Sequence, residues 1–257
     1  MELIGIATYG AHLLTFIAIY GLLALGLNVQ WGFTGLFNAG IAGFFAVGAY
    51  GSAIMTGADD PTRIGGFGLP APVGWAAAAL FAALIAWPIG KVCLRFRADY
   101  LAIATIGVAE IMRLIARSEG WLTGASSGIA NLPRPFSSGI FAGSREAALL
   151  SNLAYLALAG AILALAYWLI ERQLRAPWGR MMRAIRDNET AARAMGKDVT
   201  RRHLQVFVLG SAICGVAGAM MTTLDGQLTP GSYQPLRFTF LIWVMVIVGG
   251  SGNNFGA

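Results

Sequence analysis

RAPWGRMMRAIRDNETAARAMGKDVTRR, residues 175–202, is the one densely charged stretch in a chain that otherwise avoids charge. Nine of the 18 Lys and Arg fall between Arg172 and Arg202. Apolar runs, 148–170 and 204–224, flank it. About 20 apolar residues in helical conformation cross the hydrocarbon core of a bilayer, and both runs have that length. The stretch reads as a loop between two membrane helices, and its positive charge sets the side of the membrane on which the loop lies.

The rest of the composition agrees. Apolar residues make up 57% of the 257, and charged residues 12%, against roughly 25% charged in a soluble domain. The 34 glycines permit close helix contact. The net charge of +6 does not indicate nucleic acid, because most of it sits in short segments between apolar runs. Cys93 and Cys214 form no disulfide framework or metal spacing, and His12 and His203 stand alone. The N-terminus lacks the basic region of a secretory signal, so the first apolar run is expected to stay as a membrane helix. No cofactor and no metal is expected.

The chain is therefore expected to be an all-α membrane protein. It reads as a polytopic helical bundle of about seven membrane segments in a single domain over 1–257. The segments are 9–29, 33–56, 73–90, 100–116, 148–170, 204–224 and 236–248, with Arg237 at the start of the last. The link after the third carries Lys91, Arg95 and Arg97, and falls on the same side as 171–202. The positive-inside rule makes that side cytoplasmic and puts the N-terminus outside. The opposite loops, 57–72, 117–147 and 225–235, carry one, three and no Lys or Arg.

The junction of the first two segments is unusual. Asn28, Gln30 and Asn38 stand among glycines there, which predicts a broken or re-entrant segment. Non-helical backbone at membrane depth needs burial in protein or a cavity to line. Gly35, Ala39 and Gly43, and Ser211, Gly215 and Ala219, fall at helical i, i+4 spacing and read as close-packing stripes. A sharper reading places Asn28 and Asn38 on a substrate path.

Inside the charged loop, 179–196 reads as one short amphipathic helix. Met181, Ala184 and Ile185 form its apolar face, arginines cover the others, and Gly196 is the stop. Positive charge alone could set topology or hold the loop on anionic lipid. A small, rigid helix flanked by arginines also suits docking to a soluble partner.

TAARAMG, residues 190–196, resembles the EAA loop of ATP-binding-cassette permeases, whose pattern is Glu-Ala-Ala, three residues, then Gly. Thr190 takes the Glu place with Glu189 before it, and Ala191, Ala192 and Gly196 match. GLNVQWGFTGLFNAGIAGFFAVGAY (26–50), FRADYLAIATIGVAEIMRL (96–114), WLTGASSGI (121–129), APWGRMMRAIRDNETAARAMG (176–196) and VIVGGSGNNFGA (246–257) extend the likeness. Together they resemble the M-type permease subunit of branched-chain amino acid importers, from residue 20 to residue 257.

The resemblance implies an importer permease in a bacterial cytoplasmic membrane, with no enzymatic step of its own. It implies a homologous H-type permease subunit, two cytosolic ATPase subunits, and a periplasmic or surface amino acid binding protein as partners. Pro177, Trp178, Gly179, Arg180, Arg183, Arg186, Glu189, Ala191, Ala192 and Gly196 are then the ATPase-coupling loop within 171–202. Family members continue past the Gly-rich end with further helices. The sequence is thus expected to be either naturally short or truncated, and Asn253, Asn254 and Phe255 depart from the family pattern.

The residues add one check of their own. A phosphate-binding P-loop needs Gly-Lys followed by Ser or Thr; Lys91 and Lys197 are the only lysines, and Val92 and Asp198 follow them. Glu110 and Arg113 interrupt the fourth segment, and intramembrane charges are functional candidates by default. Glu110 is about 16 Å along the helix from Asp99, and Arg113 shares its face. A structural ion pair facing the bundle and a contact along the translocation path are both open. Ion-coupled secondary transport through Glu110, and a permease for urea-type substrates, remain as alternatives; a membrane enzyme lacks a catalytic constellation.

Overall fold

The computed structural model describes residues 2–59, 61, 63–136, 145–231 and 233–256; residues 137–144 of the expected outer loop lie outside the described residues. The chain is helical nearly throughout, as lipid requires of a backbone that must satisfy its own hydrogen bonds. Its helices are α1 (Glu2–Leu27), α2 (Ile41–Thr56), α3 (Ala71–Cys93), α4 (Ala98–Ser118), the short α5 (Gly120–Thr123), α6 (Arg145–Arg175), α7 (Pro177–Asp187), α8 (Glu189–Ala194), α9 (Val199–Asp225) and α10 (Pro235–Gly249). Among the described residues α1, α3, α6 and α9 are long and apolar enough to cross a membrane, and α2 and α10 are shorter apolar helices.

Helix α9 is the hub. It packs on α1, α2 and α3, while α6 covers α1 and α4 covers α2. Small residues set these distances. A Cβ at Gly48 would overlap the backbone of Gly215, and one at Gly218 would overlap the Phe45 carbonyl. Gly218 of α9 thus lies against α2, while a Cβ at Gly215 would meet Ala78 and Ala82 of α3, so small residues let α9 approach both helices closely. The other expected stripe, Gly35–Ala39–Gly43, is interrupted: 35–40 is non-helical, with Gly35 at φ 73°, and Gly43 alone lies in helix, where its missing Cβ admits Ala109 of α4.

The expected break is present and sharply placed. After Leu27 the helix widens into a π turn, Asn28–Gly32, closed by the Phe33 N–H on the Asn28 carbonyl. The second membrane helix then starts at Ile41 rather than at Phe33.

The charged loop differs from the expected single helix. It folds as two, α7 and α8, divided at Asn188. That residue leaves helical conformation (φ −156°, ψ 98°), and its side chain accepts from the Ala191 N–H at 2.9 Å. Asn is a favoured N-cap, and here it ends one helix and starts the next. Pro177 occupies the first turn of α7, where a missing N–H costs nothing. Gly196 does stop α8, at φ 74°, with its N–H on the Arg193 carbonyl and that of Lys197 on Ala192. This double bond pattern needs a left-handed residue.

Candidate functional site

The break at 28–40 leaves backbone groups without helical partners inside the protein. The sequence supplies them from four directions. Ala39 donates its N–H to the Thr105 hydroxyl of α4 at 3.0 Å, and Gly40 donates to the Asn38 side chain at 2.8 Å. Trp243 of α10 donates from its indole to the Asn38 carbonyl at 3.3 Å. Asn38 in turn donates to Gln30 at 2.7 Å, and Gln30 donates to the Phe207 carbonyl of α9 at 3.2 Å. Trp31 and Phe37 flank the Trp243 ring at 4.6 and 4.2 Å. Asn28, Gln30 and Asn38 are all 0% exposed. Buried amides are stable only when paired, and here each is.

The same break is tied to the charged loop and to the C-terminal turn. Arg186, near the end of α7, donates from Nη1 to the Gly32 carbonyl. Asn28 donates to Asn254 at 3.0 Å and accepts from the Gly252 N–H at 2.8 Å. Asn254 donates to Glu171, near the end of α6, at 3.0 Å, and Glu171 pairs with Arg175 at 3.0 Å. One connected polar knot therefore joins the ends of α1, α6, α7 and α10.

Helix α7 is anchored on a face that keeps Ile185 from the expected one and takes Met182 in place of Met181 and Ala184. Met182 and Ile185, 0% and 2% exposed, point inward, whereas Met181 is only half-buried and Ala184 is exposed. Trp178 packs partly on the core, and Gly179 lies so close to the Leu174 backbone that a Cβ would overlap it. Arg183 donates to the Leu174 carbonyl at 3.3 Å. In α8 only Ala192 is buried, and Glu189 pairs with Arg193 at 2.6 Å. Arg180, Thr190, Ala191, Ala194 and Met195 (79% exposed) form the outward surface.

Glu110 and Arg113 do form the expected pair, with Arg113 Nε 3.0 Å from the carboxylate. They do not face the bundle. Their side chains are 40% and 24% exposed on the surface of α4. Sequence reading missed Gly32, Thr105, Glu171, Trp243 and Asn254 as members of the knot. The signal for Asn254 was its polarity in the Gly-rich turn a few residues past an apolar helix.

A family model for the permease component of branched-chain amino acid transport systems matches residues 10–257. The high-affinity branched-chain amino acid transport system permease protein LivM of Salmonella typhimurium is 34% identical over 94% of this chain and 58% of its own length. The protein of the same name from Escherichia coli is 33% identical with the same coverage. The permease protein LivH of Salmonella typhimurium is 25% identical over 93% of this chain and 77% of its own. The chain spans 58% of the length of the two LivM proteins. No solved structure matches.

Proposed function

We propose, for a chain that belongs to the branched-chain amino acid transport permease family, that it is a membrane subunit of an ATP-driven importer of branched-chain or similar apolar amino acids. Its partners are a second, homologous permease, two cytosolic ATPase subunits and an external amino acid binding protein. ATP hydrolysis belongs to the separate ATPase, and the chain lies in a bacterial cytoplasmic membrane as one domain with its N-terminus outside. The likeness to both LivM and LivH proteins supports a two-permease assembly.

The observation that carries this reading is the build of α7 and α8. The pair is fixed inward by Met182, Ile185 and Ala192, and presents Thr190, Ala191, Ala194 and Met195 outward beside Arg180 and Arg193. Small apolar positions rimmed by cations suit a groove with acidic edges. Pro177, Trp178, Gly179, Arg183, Arg186, Glu189 and Gly196 shape and seat that surface rather than form its tip. Arg186 links it to the break, so a push on α7 reaches Asn28 and Asn38. In this reading these two residues are opened by transport rather than exposed at rest, and Glu110 and Arg113 face the path or the second permease. Ion-coupled transport is less well supported, because the Glu110 carboxylate is already held by Arg113.

Co-expression with candidate ATPases tests the reading. The parent should retain them through purification, and Ala191→Glu, which places a bulky carboxylate on the exposed surface without touching the anchors, should lose them. Retention by both overturns docking at this face; retention by neither overturns the importer reading.

A further inference from the structure

Arg237 is the one charged residue of α10. Its neighbour Phe238 stacks on Tyr20, ring centroids 6.2 Å apart at 21°. Tyr20 lies about 27 Å along α1 from Glu2 and about 10 Å from Leu27, at 1.5 Å per residue. Arg237 therefore stands well inside the length of a membrane helix rather than at its end, even though it opens α10. The adjoining connection dips inward with it: Tyr233 is buried, its ring 5.0 Å from that of Phe45.

The Arg237 side chain is exposed, and no carboxylate among the described residues pairs with it. A guanidinium at this depth does not face lipid; it needs water, an anion or a partner. It has a chamber. A cavity of 290 Å³ is lined by Tyr20, Gly231, Gln234, Arg237, Phe238 and Leu241. Its lining includes a planar cation, Arg237, of the kind that binds carboxylate through two parallel N–H donors. Gln234 adds an amide that can donate or accept, and Tyr20, Phe238 and Leu241 supply apolar surface.

We propose that this chamber is a station for an α-amino acid with an apolar side chain, in which Arg237 holds the substrate carboxylate. The proposal rests on the importer reading for its substrate class. Affinity is expected to be weak, since a passage must release what it holds. Gln234 orients the polar end, and the Phe238 and Leu241 side favours aliphatic groups.

The test is arginine-selective modification of Arg237 by phenylglyoxal, read by mass spectrometry in membranes carrying the chain with its co-expressed partners. Leucine should slow modification several-fold, whereas isopentylamine, which has leucine's side chain but no carboxylate, should not. No protection by leucine, or equal protection by the amine, overturns the proposal. In parallel, Arg237→Gln should lower leucine uptake about tenfold, as loss of one charge-assisted contact implies, with the complex still assembled. If Arg237→Gln instead loses the second permease, the guanidinium pairs with a partner carboxylate and the station is refuted. Failure of the importer reading looks different: the parent then takes up no leucine, whatever the protection result.

Discussion

Replacing Arg186 by Ala should loosen the break while leaving the rest of the bundle intact. The guanidinium of α7 donates to the Gly32 carbonyl at the end of the π turn, and Gly35 and Gly252 lie beside it. A hydrogen bond from a charged donor contributes about 1.5–3 kcal/mol. Arg186 is exposed, so water restores part of this, and a loss near 1.4 kcal/mol, about tenfold in local opening, is expected. Hydrogen exchange of the reconstituted chain measures it directly. Peptides covering 28–36 should exchange about tenfold faster in the variant, while those of α3, which packs mainly on α9 and α2, should not change. Arg186→Lys should restore part of the protection, because an ammonium donates but lacks the fork. Unchanged exchange at 28–36 would refute the link. Equal acceleration in α3 would show general destabilisation instead.

Two further substitutions probe the scaffold. Gly48→Ala puts a Cβ into the Gly215 backbone at the α2–α9 crossing, which should cost about 2–3 kcal/mol and lower the melting temperature in detergent; Gly160→Ala, where the same atom meets nothing within 4 Å, should melt like the parent. Asn254→Ala removes the partner of buried Asn28 and of Glu171. It should cost about 1–3 kcal/mol by the same assay, and double substitution with Asn28→Ala should cost less than the sum of the two.

The spans were legible because lipid asks little of them. An apolar run of sufficient length is enough, so 148–170 and 204–224 located α6 and α9 to within a few residues. The break was legible too, since Asn28, Gln30 and Asn38 are out of place in hydrocarbon. Its partners were not. Arg186 is 154 residues from Gly32, and Asn254 is 226 from Asn28; no local period encodes such a contact. The split of α7 from α8 could have been seen, since Asn188 before Glu189 is a cap signature. The choice of Met182 over Met181 could not. Both suit a helical stripe, and the register is set by where Pro177 and the Arg183 bond to Leu174 seat the helix.

The polar residues of the break differ in kind from the charges on α4 and α10, and the difference bears on assembly. Asn28, Gln30 and Asn38 are buried and satisfied within the chain, so they belong to its own architecture. The Glu110–Arg113 pair and Arg237 lie at the surfaces of α4 and α10. Charges there are costly against lipid and are retained where a polar surface meets them. The apolar neighbours on the same helices, Ile103 and Ile111 on α4 and Phe240 and Val244 on α10, are exposed as well. An apolar face that carries a few charges suits contact with another membrane protein across a hydrated seam better than contact with lipid alone. In the proposed importer, α4 and α10 are then the faces on which the second permease would pack.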